Sequence, residues 1–318
     1  MKKVKVVAYP TIPIIFVASV DNKRVPLHDT MGLAVTDLKE EVRSETIIKI
    51  SPGEEEVFFV LDGKPFDDEK RMADIINVSR EFKQATNKNV NIKIESNNYN
   101  IFSGSSDSGA AALVFALNDF FATNFSKEKL AELANKISES AIRSIHGGLN
   151  KYAVSQGNPH GLQLASEKDL KEIRIFAFCF DYPTRVSAQE IFNICKTSPY
   201  WDMRLKRVPF WVKKIEEGIK SKDWKQIFSN AEDNCVNAHY LIESSGRRCR
   251  RKEMMDVCID VEEIRASGLS AYWTAGGGKV INVFSWGKDA TKVLEELKRR
   301  GHMPIEYKVA SGPKIIQS

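Results

Sequence analysis

The chain has 318 residues, 42% of them hydrophobic and 28% charged, with a formal net charge of +5, which suits one large or two ordinary folded domains with a real core. No stretch approaches the roughly 18 apolar residues of a membrane span, and a mildly basic balance fits an anionic small substrate without demanding nucleic acid. Five cysteines with no C-x-x-C spacing argue against a disulfide framework or a zinc site.

The basic start at residues 1–5 is not followed by an apolar core with a small-residue cleavage site, so no signal peptide is expected and a cytoplasmic protein is. Residues 4–8 read as a strand, followed by a proline-containing turn and a second apolar run over 12–20. Residues 32–36 and 44–50 continue as strands, and Phe58-Phe59-Val60-Leu61 before Asp62-Gly63 marks a hairpin. Residues 67–86 read as a helix with Met72, Ile75, Ile76, Val78 and Phe82 on its apolar face.

A strand at 90–95 then leads to Ser103-Gly104-Ser105-Ser106-Asp107-Ser108-Gly109, which gives way abruptly to an apolar helical run ending near 121. A Gly/Ser turn opening a helix gathers backbone N–H groups and the positive helix end at one point, a ready phosphate site. Serine hydroxyls add donors and could serve as magnesium ligands. The spacing is not G-x-x-x-x-G-K-[ST] and no lysine follows, so a turn with a good N-cap stands as the plain alternative.

One helix is expected from about Ser126 to about residue 144, with Leu130, Leu133, Ala134, Ile137, Ala141 and Ile142 as its stripe and Gly147-Gly148 at its end. On such a helix Glu139 and Arg143 stand four apart, and an ion pair between them is the structural reading. His146 reads as a helix C-terminal cation.

Residues 173–180 form the strongest strand of the second half, stopped by Asp181-Tyr182-Pro183-Thr184. Arg185 falls in the loop that follows, and Ser187 caps a helix from about 188. Helices dominate from about 186 to 265. Arg247-Arg248-Cys249-Arg250-Arg251-Lys252 reads as a solvated helix start, with no aromatic residues interleaved as a single-strand groove would want. Gly276-Gly277-Gly278 leads into a strand at 279–286, then a helix at 290–300 and a last strand at 305–309. This ending implies an α+β layer, with a boundary near residue 170.

Four stretches carry a family resemblance: Val-Pro-Leu-His-Asp-Thr at 25–30, the Gly/Ser loop at 103–109, Ser-Glu-Ser-Ala-Ile-Arg-Ser-Ile-His-Gly-Gly at 138–148, and Ala-Tyr-Trp-Thr-Ala-Gly-Gly at 271–277. Together they resemble the GHMP kinase superfamily, specifically its mevalonate diphosphate decarboxylase-like branch. The resemblance implies a two-part α+β GHMP kinase fold. An N-terminal S5-like α/β nucleotide-binding domain would span 1–170 and a C-terminal ferredoxin-like α+β domain 171–318. ATP and Mg2+ are implied, as is a homodimer; neither a nucleic acid nor a membrane is.

The same resemblance implies roles for individual residues. Ser103, Gly104, Ser105 and Ser106 would contact the triphosphate, with Ser105 on the magnesium. Asp107 would either cap the helix or help hold the metal. Arg143, with Ser144 beside it, would hold a substrate carboxylate by a bidentate fork. Arg185 and Ser187 would contact the nucleotide, with Arg185 neutralising charge on the transferring phosphate. Phe16 and Val17 would wall the pocket, while His28 and Asp29 give packing and loop support.

The chain also departs from the decarboxylase pattern. That branch has Asp-Ala-Gly where Thr274-Ala275-Gly276 stands, a glycine where Glu139 stands, and a Lys-Tyr-Trp-Gly-Lys segment with no counterpart between residues 10 and 21. Threonine cannot act as a carboxylate base. A carboxylate about 4 Å from one phosphate charge costs about 4 kcal/mol at an effective dielectric of 20, so Glu139 should reject a 5-diphosphate. It can instead accept the hydrogen of a free 5-hydroxyl.

This combination is similar to the archaeal mevalonate 3-kinase family. That implies ATP-dependent phosphorylation of the tertiary 3-hydroxyl of (R)-mevalonate, in a mevalonate pathway to isoprenoids. Ser105, Arg185 and Thr274 would then stand at the reacting groups. No residue reads as a strong general base, which phosphoryl transfer tolerates where alignment does the work. The rivals are a decarboxylase of a phosphorylated mevalonate and a non-catalytic nucleotide- or RNA-binding relative using residues 247–252.

Overall fold

A computed structural model of the chain describes residues 2–51, 56–155, 157–182 and 186–317. The first half opens with β1 (Lys3–Ala8), β2 (Thr11–Ile15), β3 (Thr30–Asp37), β4 (Arg43–Ile50), β5 (Val57–Leu61) and β6 (Lys64–Pro65), followed by α1 (Glu69–Thr86) and β7 (Ile92–Tyr99). Then come α2 (Ser105–Phe121), α3 (Lys127–Ile137), α4 (Ala141–His146), β8 (Leu149–Ala153) and β9 (His160–Ala165). The hairpin between β5 and β6 turns at Asp62 and Gly63, both with positive φ (48° and 79°), as a tight two-residue turn requires.

The second half runs β10 (Ile173–Cys179), α5 (Ala188–Ile194), α6 (Trp201–Ser221), α7 (Trp224–Ser244) and α8 (Lys252–Ala266). It ends with β11 (Tyr272–Ala275), β12 (Val280–Trp286), α9 (Asp289–Arg299), β13 (Ile305–Val309) and β14 (Lys314–Gln317). No helix among the described residues is long and apolar enough to cross a membrane.

Two sheets result. One is six-stranded in the order β14-β1-β4-β7-β5-β6, and the other eight-stranded along β11-β12-β10-β13-β3-β8-β9 with β2 also on β3. Strand β3 pairs with β2 along Met31–Ala34 and with β13 along Val35–Asp37, so the second sheet is built from both ends of the chain. Strand β14 likewise returns to pair with β1. Helix α2 is apolar nearly all round, and its run of small residues, Ala110 to Ala112, is buried against β1 and β4 on one side and α3 and α4 on the other.

Two expected elements differ. The apolar run at 12–20 is a strand only to Ile15; beyond it the backbone is tied to helices instead, with Phe16 N donating to Asn234 Oδ1 at 2.9 Å and Ser19 Oγ to the Phe192 carbonyl at 2.8 Å. The single helix expected over 126–144 is broken. Helix α3 stops at Ile137, Ser138 is extended (φ −142°, ψ 129°), and α4 starts afresh at Ala141. The hydroxyls of Ser138 and Ser140 are drawn onto the Asp107 carboxylate, which takes the chain out of the helical path.

Candidate active site

The loop between β7 and α2 places Gly104 in the left-handed region (φ 80°) as the residue preceding the helix. A Cβ there would stand 2.9 Å from the Thr11 carbonyl oxygen, so the tight approach needs glycine. No side chain caps α2, which leaves its first-turn N–H groups for an anion. Ser103 and Ser106 are exposed and Ser105 is half-buried at this opening.

Asp107 does not cap the helix and is not free for a metal. It is buried, and its oxygens accept from Thr11 Oγ1 (2.9 Å), Ser138 Oγ (2.8 Å), Ser140 Oγ (2.7 Å) and Arg143 Nη2 (3.1 Å). Three hydroxyls and a guanidinium use up what this carboxylate can offer. The described residues hold no group of three His, Cys, Asp or Glu side chains suited to a metal ion.

Arg143 rises from α4 and lies across β3. A Cβ at Gly32 would meet its Cδ at 2.5 Å, so the bare backbone of Gly32 makes room for the side chain. Nη2 is committed to Asp107, Nε reaches the Ser140 carbonyl at 3.4 Å, and Nη1 is buried with no partner. The expected pair with Glu139 does not form, because the helix break between them turns Glu139 away. Its Oε1 instead lies 3.7 Å from Nε of Arg24.

Ser144 departs from the expected substrate contact. It is fully buried, and its hydroxyl donates to the Tyr9 carbonyl at 2.8 Å, tying α4 to the end of β1. Phe16 and Val17 also depart from the expected pocket wall; they are buried in a cluster with Val186, Ile191, Phe192 and Leu241. Ser187 acts as the N-cap of α5, accepting from Glu190 N at 3.2 Å, so its hydroxyl serves the helix rather than a nucleotide. Arg185 lies outside the described residues.

Thr274 is buried on β11 opposite Asn282, and its Oγ1 has no hydrogen-bond partner. The chain after it is held closely: Ala275 N meets Cys235 Sγ at 3.1 Å, and His239 Nε2 lies 2.9 Å from the Gly276 carbonyl oxygen. A Cβ at Gly276 would stand 3.9 Å from Ser103 Oγ, so the triglycine segment faces the phosphate loop.

His28 and His146 are neutral packing groups. Burial and the Arg204 guanidinium lower His28 to about 3, with Nδ1 donating to the Asp29 carbonyl and Nε2 accepting from Arg204 Nε at 3.2 Å. Asp29 accepts from the backbone of Val154 and Ser155, as loop support requires. His146 is not the expected helix-end cation, because burial and Lys127 lower it to about 4.

The basic cluster before α8 is largely paired within the chain: Arg247 with Glu190, Arg250 with Glu243 and Lys252 with Asp256. Aromatic neighbours, absent from the local sequence, arrive from elsewhere, with Arg250 over Tyr240 and Arg251 over Tyr182.

Beside Ser105 and Ser106 lies a cleft of about 110 Å³ that opens to solvent, walled by Phe59, Leu61, Phe66 and Ile75 with Ser96 and Asn98. Thr11, Gly32, Arg24 and Asp74 were not singled out from the sequence. Gly32 inside a strand was the one available signal, since glycine there marks a close approach.

Residues 9–161 match the family of the diphosphomevalonate decarboxylase-like N-terminal domain. The mevalonate-3-kinase of Picrophilus torridus is 31% identical over 98% of this chain and 97% of its own. The mevalonate 3-kinase of Thermoplasma acidophilum is 28% identical over 86% and 85%. The crystal structure of mevalonate-3-kinase from Thermoplasma acidophilum, with mevalonate 3-phosphate and ADP bound, has the same fold (TM-score 0.89, 23% identity, 99% of both chains). With a full-length relative at that identity and an α+β GHMP fold around an anion-ready helix end, this chain belongs to the mevalonate 3-kinase family.

Proposed function

We propose that the protein transfers the γ-phosphoryl group of ATP to the tertiary 3-hydroxyl of mevalonate. The observation that carries this reading is Arg143. It is a buried arginine with one arm fixed by Asp107 and the other, Nη1, left without a partner next to the phosphate loop. A buried, unused guanidinium N–H is costly unless a ligand completes it, and a carboxylate is the acceptor that matches its geometry.

The rest of the site fits around that anchor. The free N–H groups of α2 and the Ser103, Ser105 and Ser106 hydroxyls suit the phosphates. The apolar cleft walled by Phe59 and Phe66 suits the purine base. With Asp107 occupied, a magnesium ion would be held by phosphate oxygens and water, with Ser105 as the protein ligand, which matches the preference of Mg2+ for retained waters; bound there, it would neutralise phosphate charge. Glu139 would accept the hydrogen of the 5-hydroxyl, and Thr274 Oγ1 would serve the substrate as an uncharged polar contact.

No carboxylate base stands at Thr274, so transfer rests on alignment of the 3-hydroxyl with the γ-phosphate. A neutral threonine there also gives no charge to drive loss of carbon dioxide. The test is steady-state ADP release. Mevalonate-dependent ADP formation requiring a divalent cation is expected, and ATP turnover indifferent to mevalonate would contradict the proposal.

A further inference from the structure

We propose that Arg24 and Asp74 set the substrate choice of this site by acting on Glu139, an inference that rests on the proposed function. Arg24 sits in the turn between β2 and β3. Asp21 closes that turn by accepting from Lys23 N (2.8 Å) and Val25 N (2.9 Å), and Arg24 itself takes a positive φ of 64°. Its side chain reaches across to the end of α3. There Nη1 donates to the carbonyls of Lys136 (3.1 Å) and Ile137 (3.0 Å), two of the acceptors a helix end leaves open. The Asn135 side chain returns a bond to the Arg24 carbonyl at 3.4 Å. Arg24 therefore anchors the segment that carries Glu139.

The same guanidinium is shared unequally between two carboxylates. Asp74, from α1, lies 2.9 Å from Nη2, a close ion-pair contact without hydrogen-bond alignment, while Glu139 is farther off, 3.7 Å from Nε. One cation between two anions leaves the group one negative charge in excess. All three side chains are partly buried, with 19–28% of their surface exposed, so this charge is only partly screened. Because Asp74 takes the close contact, Glu139 keeps its lone pairs for an incoming hydroxyl. A substrate ending in a hydroxyl finds an acceptor; one ending in a phosphate finds uncompensated negative charge. Arg24 and Asp74 are thus positioning residues, acting through Glu139.

The test uses the full-length protein and mevalonate 5-phosphate as a competitor of mevalonate. In Asp74→Asn the excess charge is gone and the guanidinium can close on Glu139, so the inhibition constant of the 5-phosphate should fall about tenfold. Arg24→Gln leaves two carboxylates uncompensated, and the constant should rise. Opposite shifts from neighbouring substitutions are something general loosening of the structure cannot produce. An unchanged constant in a folded Asp74→Asn protein, or shifts of the same sign in both variants, would overturn the inference. If Asp74→Asn does not fold, Arg24→Gln decides alone: a rise in the inhibition constant of the 5-phosphate that exceeds any rise in the KM for mevalonate supports the inference, and equal rises, no change or a fall overturn it. Failure of the proposed function reads differently, as a wild-type protein that does not phosphorylate mevalonate at all.

Discussion

Nη2 of Arg143 lies 3.1 Å from Oδ2 of Asp107, and both side chains are buried. This contact joins the helix that opens the phosphate loop to the arginine assigned to the substrate carboxylate, so the nucleotide and acceptor halves of the site share one ion pair. Removing one member of a buried pair costs about 3–5 kcal/mol because the other is left uncompensated. Asp107→Ala should lose stability on that scale in urea unfolding, and the Ser138–Ser140 break should lose its anchor with it. A loss under about 1 kcal/mol would mean that the pair is not structural.

Gly32→Ala addresses the position of Arg143 without touching its charge. The added methyl would fall 2.5 Å from Arg143 Cδ and displace the side chain. The KM for mevalonate should rise about tenfold or more, the equivalent of about 1.4 kcal/mol, while the KM for ATP stays close to wild type. Equal rises in both would point to general distortion of β3.

Thr274→Val removes a buried hydroxyl that has no partner in the structure and replaces it with a methyl of similar size. Stability should change little or improve, since no hydrogen bond is lost. The kcat should nonetheless fall several-fold, as the substrate loses a polar contact. Unaltered kcat and KM together would show that the hydroxyl plays no part.

Acid sensitivity should begin above the carboxylate range. His28, lowered from 6.5 to about 3, and His146, lowered to about 4, are neutral when folded but bind a proton when unfolded below pH 6.5. The unfolded state thus holds more protons in this window. Stability is complete above pH 6.5 and falls as pH drops toward 4, by up to roughly 1.4 kcal/mol per pH unit for each histidine. Urea midpoints at pH 7 and pH 5 should show the fall, and His28→Gln should make it shallower. Glu40, held down to about 2 chiefly by the Tyr9 hydroxyl, contributes only in more acid solution.

Much of the frame was legible in the sequence where local chemistry decides the outcome. Asp62-Gly63 supplies two positive-φ residues for the β5–β6 turn, and the Gly/Ser step before an apolar run marks the start of α2. What was not legible came from distant partners. Residues 126–144 carry an unbroken helical stripe, and only the Asp107 carboxylate, 31 residues upstream of Ser138, breaks it. That break also separates Glu139 from Arg143, so the local pairing expected from their spacing gives way to Arg24, over a hundred residues away. Phe16 and Val17 show the limit of apolar patterning, which marks burial without saying whether core or ligand is the neighbour. His146 looked like a helix-end cation because sequence position gives no measure of burial.

The most direct measurement of the central claim is phosphorus NMR of the product formed from mevalonate, ATP and magnesium, with carbon dioxide trapped in parallel. The account predicts a phosphate ester on the tertiary carbon and no early gas; late release from that ester without enzyme would be compatible. A phosphate on the primary 5-oxygen, or prompt carbon dioxide with an alkene, would contradict it.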